Sequence, residues 1–206
     1  MQLDWYFDYV SPFAYLQFAL HPDLMHRPET TLRPVLFAGF LNEWGHKGPA
    51  EIPPKKIHTF RLATWQAAKW GVPMRCPPAH PFNPLHALRL TIALGARYDV
   101  VKTIFEFIWR DGRSVTDEWQ ALLMLLRVNN ASELLADDKV KSALRQNGKE
   151  AIAAGVFGVP TFVANDVLFW GEDATGMLRD YLANPALFES LEMKRIAALP
   201  AAASRI

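Results

Sequence analysis

Apolar positions fall into three differently patterned blocks along the chain. Leu3 to Tyr9 alternates imperfectly and is rich in Trp, Tyr and Phe, as a buried strand requires. Ser11-Pro12 ends it. Serine is a favoured N-cap and proline a favoured first helical residue, and Phe13, Leu16, Phe18 and Leu20 supply the apolar content of a short buried helix closing near Pro22. Leu32 to Phe37 reads as a second strand, in which Pro34 argues for an edge position or a bulge. From Gly39 to about Gly155 the period becomes helical, with helices predicted over Pro54–Trp70, Pro84–Tyr98, Val100–Arg110, Thr116–Val128 and Asp137–Ala154. Acidic first turns support several of these starts, including Ala131-Ser132-Glu133 and Asp137-Asp138. The proline-dense stretch from Pro73 to Pro84 cannot be helix interior and is a loop. The last block returns to strands: Val159–Ala164, a tight turn at Asn165-Asp166, Val167–Trp170, then a helix over Ala174–Leu182.

The order βαβ, helices, ββα is that of an α/β thioredoxin-like fold with an all-helical domain inserted between its halves. Residues 1–40 and 155–206 are expected to form the discontinuous thioredoxin-like domain, and residues 41–154 the insertion. Pro160, opening a strand after Gly158-Val159, stands where such folds carry a cis-proline.

Composition narrows the chemistry. Half of the 206 residues are apolar, and 22 basic against 21 acidic side chains leave a formal charge of +1, so no global field attracts nucleic acid or anionic lipid. The clusters Lys55-Lys56 and Lys139 to Arg145 are short and mixed with acids, as solvated faces are. The longest stretch without a charge, Ala151 to Asn165, falls short of the ~18 apolar residues of a bilayer span. With no basic and apolar leader ahead of the first strand, a cytoplasmic protein is expected. The six histidines are scattered, no pair has i, i+4 spacing, and no metal site is expected. Dinucleotide-binding, Walker-type, zincin and G-x-S-x-G motifs are all missing. Cys76 is alone, which excludes an intrachain disulfide, a Cys-x-x-Cys pair and a thiolate metal cage within one chain.

Ser11 is the remaining candidate. Ser11-Pro12-Phe13-Ala14 occupies the helix mouth where thioredoxin-like proteins place Cys-x-x-Cys. Two readings stay open for it. Ser11 is a helix cap and nothing more, or its hydroxyl donates to the thiolate of a bound thiol such as glutathione. Lowering a thiol pKa from ~8.5 to ~6.5 takes about 2.7 kcal/mol. A hydrogen bond to a charged group contributes ~1.5–3 kcal/mol and a helix terminus ~0.3–1, so the two together suffice where the terminus alone does not.

Phe7-Asp8-Tyr9-Val10-Ser11-Pro12-Phe13-Ala14-Tyr15-Leu16 resembles the N-terminal signature of 2-hydroxychromene-2-carboxylate isomerases and kappa-class glutathione transferases, within the larger group related to DsbA. The resemblance extends through Gly48–Lys55, through Pro77-Pro78-Ala79-His80-Pro81-Phe82-Asn83-Pro84, and through Gly155–Phe162 with Leu168–Asp173. It implies a glutathione-dependent isomerase of an aromatic or unsaturated carboxylate, with Ser11 donating to the glutathione sulfur. Val159, beside Pro160, would pair through its backbone with the cysteinyl part. Glu172 and Asp173 would receive the γ-glutamyl end and Lys55 a carboxylate of the tripeptide. Lys47, Asn83 and Trp109 are candidates for the substrate side of the cleft. His46-Lys47 stands where kappa-type proteins commonly carry an Asn. A homodimer is implied by the same resemblance. A glutathione transferase or peroxidase, and a thiol-binding protein without catalysis, are the alternatives.

Overall fold

A computed structural model describes residues 1–200. Four strands form one mixed sheet in the order β2-β1-β3-β4: β1 (Leu3–Phe7), β2 (Thr30–Pro34), β3 (Thr161–Ala164) and β4 (Val167–Trp170). β1 pairs in parallel with β2 and antiparallel with β3, and β3 pairs antiparallel with β4. Pro34 closes edge strand β2 opposite Phe7, where its missing N–H leaves no gap in a central ladder. The β3–β4 hairpin turns on Asn165 and Asp166, with φ of 47° and 64°, the left-handed pair that a two-residue turn matched to strand twist requires.

Between and after the strands lie α1 (Pro12–Leu20), α2 (Pro22–Met25), α3 (Phe37–Trp44), α4 (Pro53–Trp70), α5 (Leu85–Ala93), α6 (Tyr98–Phe105), α7 (Trp119–Leu126), α8 (Ala131–Ala136), α9 (Asp138–Ala153), α10 (Thr175–Ala183) and α11 (Leu191–Ala197). Three boundaries depart from the sequence expectation for identifiable reasons. β2 lies earlier than Leu32–Phe37, because a carboxylate from the β1 end takes the Phe37 N–H and turns the chain into α3. The helix expected over Pro84–Tyr98 stops at Ala93, where Gly95 (φ 78°) and Ala96 (φ 48°) enter the left-handed region. The helix expected over Val100–Arg110 splits into α6 and one π-helical turn, Glu106–Arg110. α2, α3 and α11 have no counterpart among the helices that the pattern predicts.

Alternation along β1 sends Trp5 and Phe7 to one side and Tyr6 to the other. On the first side Trp5, Phe7, Phe162 and Phe169 pack against Leu16 of α1, Phe105 of α6 and Leu178 of α10, with Trp5 and Phe7 stacked at 4.6 Å. On the second side Tyr6 and Val35 meet Phe40 of α3 and Ala151 of α9. The division into residues 1–40 with 155–206 and 41–154 is one we propose as a working description. The main core runs without interruption from the sheet into the helical part, through Phe105, Ile108 and Trp109.

Candidate functional site

The end of β1 and the mouth of α1 are built around a buried carboxylate. Asp8 is wholly buried; its Oδ1 accepts from Val10 N at 3.1 Å and its Oδ2 from Phe37 N at 2.9 Å. Burial pushes its pKa up to about 7, against the downward pull of the backbone N–H groups that it accepts. The next residues are fixed one by one. Tyr9 O accepts from Trp109 Nε1 at 2.8 Å, and the Tyr9 hydroxyl meets Thr91 Oγ1 at 2.7 Å. Val10 O accepts from His80 Nε2 at 2.8 Å, and Ser11 N donates to Asp8 O at 3.1 Å. Tyr15, one turn into α1, donates its hydroxyl to Pro73 O at 2.5 Å, so the proline-rich loop is tied to the same helix.

Ser11 is the N-cap of α1, with extended backbone and Pro12 at the first helical position. Its Oγ accepts from Ala14 N at 3.2 Å and reaches Val159 O at only 3.4 Å. The loop around it is rigidly bonded, while the hydroxyl proton itself is weakly held. Across from it, the Val159–Pro160 peptide is cis. Pro160 O accepts from Gly171 N at 2.8 Å, linking this loop to the β4–α10 turn. Among the described residues the Val159 N–H finds no acceptor.

The β4–α10 turn is held from beneath by Gln17, 1 % exposed on α1. Gln17 Oε1 accepts from Trp5 Nε1 at 2.7 Å, and Gln17 Nε2 donates to Gly171 O at 3.0 Å and to Thr175 Oγ1 at 2.9 Å. Thr175 Oγ1 in turn donates to Glu172 O at 2.6 Å. Gly171 has φ 91°, which a side chain rarely tolerates, and a Cβ there would lie 2.4 Å from Asp173 Oδ1. The two acids of the turn differ. Glu172 Oε1 is taken by His21 Nε2 at 3.3 Å, whereas the Asp173 side chain is exposed and has no partner among the described residues. Neither carboxylate caps α10, whose N-cap residue is Ala174.

The remaining expected positions are less uniform. Lys55 lies in the first turn of α4, exposed and unpaired among the described residues. Lys47 is exposed, and Asn83 is exposed with its Oδ1 accepting from Leu85 N at 3.0 Å at the entry to α5. Trp109 requires correction. It is 0 % exposed, because the π-helical turn rotates its indole inward onto Tyr9 O, so it is a strut beneath the loop and not a wall of a cleft. Asp8, Gln17 and His80 are not among the site residues that the sequence points to. An acid flanked by aromatics in Phe7-Asp8-Tyr9 and a histidine directly before a proline were the available signals. Among the described residues no three His, Cys, Asp or Glu side chains gather closely enough to hold a metal ion, and no helix is long and apolar enough to cross a membrane.

A serine-capped first helix facing a cis-proline loop, on a βαβ–ββα sheet, is matched by a family model described as a DSBA-like thioredoxin domain, over residues 2–183. The chain belongs to this family. Among curated members it is 28% identical over 190 residues to a 2-hydroxychromene-2-carboxylate isomerase of Sphingobium xenophagum, covering 87% of this chain and 97% of the relative. It is also 28% identical over 205 residues to glutathione S-transferase kappa 2 of Caenorhabditis elegans, covering 87% of this chain and 91% of the relative. Among solved structures of the same fold, a 2-hydroxychromene-2-carboxylate isomerase superposes with a TM-score of 0.77 at 20% identity, over 98% of this chain and 100% of the other. The cytosolic disulfide reductase DsbM of Pseudomonas aeruginosa, solved with GSH, gives 0.59 at 15% identity, over 96% and 100%. The family is thus one of enzyme-like thioredoxin-fold proteins, and its members named here include isomerases and glutathione transferases.

Proposed function

We propose that the protein is a glutathione-dependent isomerase of an unsaturated aromatic carboxylate, with Ser11 as the catalytic residue that holds the thiolate. The observation that carries this reading is the state of the Ser11 hydroxyl. Its oxygen is fixed by Ala14 N at 3.2 Å while its proton faces Val159 O at a loose 3.4 Å, in a chain whose one cysteine, Cys76, is exposed on the proline-rich loop. A thiolate sulfur at that position would accept a hydrogen bond from the hydroxyl in place of the weak contact to Val159 O. The charge-assisted bond contributes ~1.5–3 kcal/mol and the α1 terminus ~0.3–1 toward the ionised thiol.

The donors and acceptors around Ser11 fit the rest of the tripeptide. The Val159 N–H, with no acceptor among the described residues, would pair with the cysteinyl carbonyl beside Pro160. Asp173 offers the free carboxylate for the γ-glutamyl ammonium; Glu172 would add to the negative field while remaining bonded to His21. Lys55 would face a glutathione carboxylate. Bound glutathione supplies the nucleophile, a thiolate whose reversible addition to a conjugated carbon makes a double bond rotatable. Ser11 would hold that sulfur before addition and receive it on expulsion, so the thiol is returned. Lys47 and Asn83 would orient the substrate carboxylate. A cytoplasmic homodimer is the form in which we expect it to act.

The test is isomerisation of 2-hydroxychromene-2-carboxylate followed by absorbance with and without glutathione. Activity is expected to require the thiol and to fall about 10–100-fold in Ser11→Ala, as loss of ~1.5–3 kcal/mol dictates. Full activity without any thiol would overturn the reading. The equal identity to a kappa transferase favours a second reading, transfer or peroxide reduction, in which glutathione is consumed in step with product.

A further inference from the structure

We propose that His80 is a positioning residue for the thiolate site, aiming the Ser11 hydroxyl by holding the carbonyl of the residue before it. The inference rests on the reading of Ser11 given above and assigns the helical insertion a direct part in it.

The Val10–Ser11 peptide is gripped at both ends. Its N–H, from Ser11, donates to Asp8 O at 3.1 Å, and its carbonyl, from Val10, accepts from His80 Nε2 at 2.8 Å. A carbonyl cannot donate, so His80 carries its proton on Nε2. Its Nδ1 is then a lone-pair acceptor, and that atom is buried without a partner among the described residues. The ring sits among Phe60 of α4 at 4.8 Å, Phe82 at 6.0 Å and Trp109 at 6.0 Å, the first two edge to face. His80 O accepts from Lys56 Nζ at 2.6 Å, which anchors the backbone from α4. Burial, with Lys56 nearby, keeps the imidazole below its ordinary pKa, against the opposing effect of the Val10 bond. An apolar ring would fill an aromatic cage of this kind without leaving Nδ1 unpaired. Among the described residues, the one polar bond the histidine side chain makes is to the carbonyl that leads into Ser11.

The geometry explains why that carbonyl matters. Ser11 Oγ is held on one side by Ala14 N of α1, and the Val10–Ser11 peptide sets the backbone torsion that leads into Ser11, so this peptide helps to decide where the Cα–Cβ bond and the hydroxyl lie relative to a sulfur placed over the helix mouth. Hydrogen bonds weaken steeply with distance and angle, and a small swing therefore changes how strongly the thiolate is favoured over the thiol. Trp109 holds the neighbouring Tyr9 carbonyl from the same side, so both struts under the loop come from the insertion.

The experiment compares wild type, His80→Phe and His80→Gln, reading the ultraviolet absorbance of bound glutathione thiolate against pH, with glutathione affinity and thermal midpoint measured alongside. His80→Phe fills the cage without the donor and is expected to shift the bound-thiol titration upward by about one unit, tenfold less thiolate at a fixed pH below it. His80→Gln keeps an N–H within reach of Val10 O and is expected to restore most of the shift. A merely structural role would lower the thermal midpoint in His80→Phe while leaving the thiol titration where it is in wild type, and that result overturns the proposal. If His80→Phe does not fold, nitrogen NMR of the wild-type imidazole decides. An Nε2–H tautomer whose signal moves on glutathione binding supports the proposal, and an unmoved signal overturns it. A wild type that binds glutathione without generating thiolate, or does not bind it, fails at the earlier step: it removes the reading of Ser11, and the role of His80 with it.

Discussion

Replacing Asp8 by Asn removes a buried ionisable group at nearly constant shape, and its effect on stability should depend on pH in a definite sense. The carboxylate is wholly buried, and its pKa rises from 3.8 to about 7, chiefly through desolvation. With its folded-state value above its unfolded one, the folded protein binds the Asp8 proton more tightly. The resulting stabilisation is complete below the unfolded value and is lost as pH rises through the folded one. The full difference is roughly 4 kcal/mol above both values, of which about 2–3 kcal/mol is lost between about pH 5 and pH 8. Asn does not titrate. It also presents an NH2 to either Val10 N or Phe37 N, both of which now donate to a carboxylate oxygen, and one mismatched backbone donor costs about 1–3 kcal/mol at every pH. Urea denaturation of both proteins across this range should therefore give curves that converge or cross. Asp8→Asn is the weaker at the acidic end, and its deficit shrinks or reverses by about 2–3 kcal/mol toward the alkaline end. Parallel curves would refute the reasoning, because they would mean that Asp8 titrates alike in both states and that its burial has no electrostatic cost.

Two further substitutions probe the turn that would receive the γ-glutamyl end. Gln17→Leu strands the buried Trp5 Nε1 and leaves the partly buried Gly171 O without its donor, and should lower unfolding stability by about 2–4 kcal/mol in urea; an unchanged urea midpoint would refute it. Gly171→Ala forces a side chain into φ 91° against Asp173 Oδ1, and should lower stability by about 1–3 kcal/mol. Calorimetric titration should find glutathione affinity reduced in Gly171→Ala and thermal stability recovered, with affinity still low, when compensating stabilisation is supplied elsewhere; unchanged affinity would separate this turn from the ligand.

The parts of the fold that were legible in the sequence are those whose cause is local. Ser11-Pro12 starts a helix because a hydroxyl acceptor and a fixed φ act on the very next turn, and the N-cap bond to Ala14 is the result. Asn165-Asp166 makes a two-residue turn because both residues tolerate left-handed φ. Helix ends were less legible wherever something distant decided them. β2 yields to α3 where Asp8 captures the Phe37 N–H, a partner 29 residues away. Trp109, a candidate for the substrate side of the cleft, is instead buried on the π-helical turn with its Nε1 on Tyr9 O, a partner 100 residues away that helical periodicity does not reveal.

The candidate site divides in the same way. Sequence by itself determined the strand-to-helix mouth, the proline that opens the strand after Gly158-Val159, and the lone cysteine, which excludes a disulfide or a Cys-x-x-Cys pair within the chain. Those features follow from residue identity within a few positions. Only the tertiary structure decided that Asp8 is buried beneath the loop, that Gln17 joins α1 to a turn 154 residues on, that Asp173 has no partner among the described residues where Glu172 is engaged, and that His80 grips Val10 from 70 residues away. The physical reason is that hydrogen-bond satisfaction is a property of the folded interior. Each of these side chains is polar and unremarkable along the chain, and its role is set by which orphaned backbone group packing brings within about 3 Å of it.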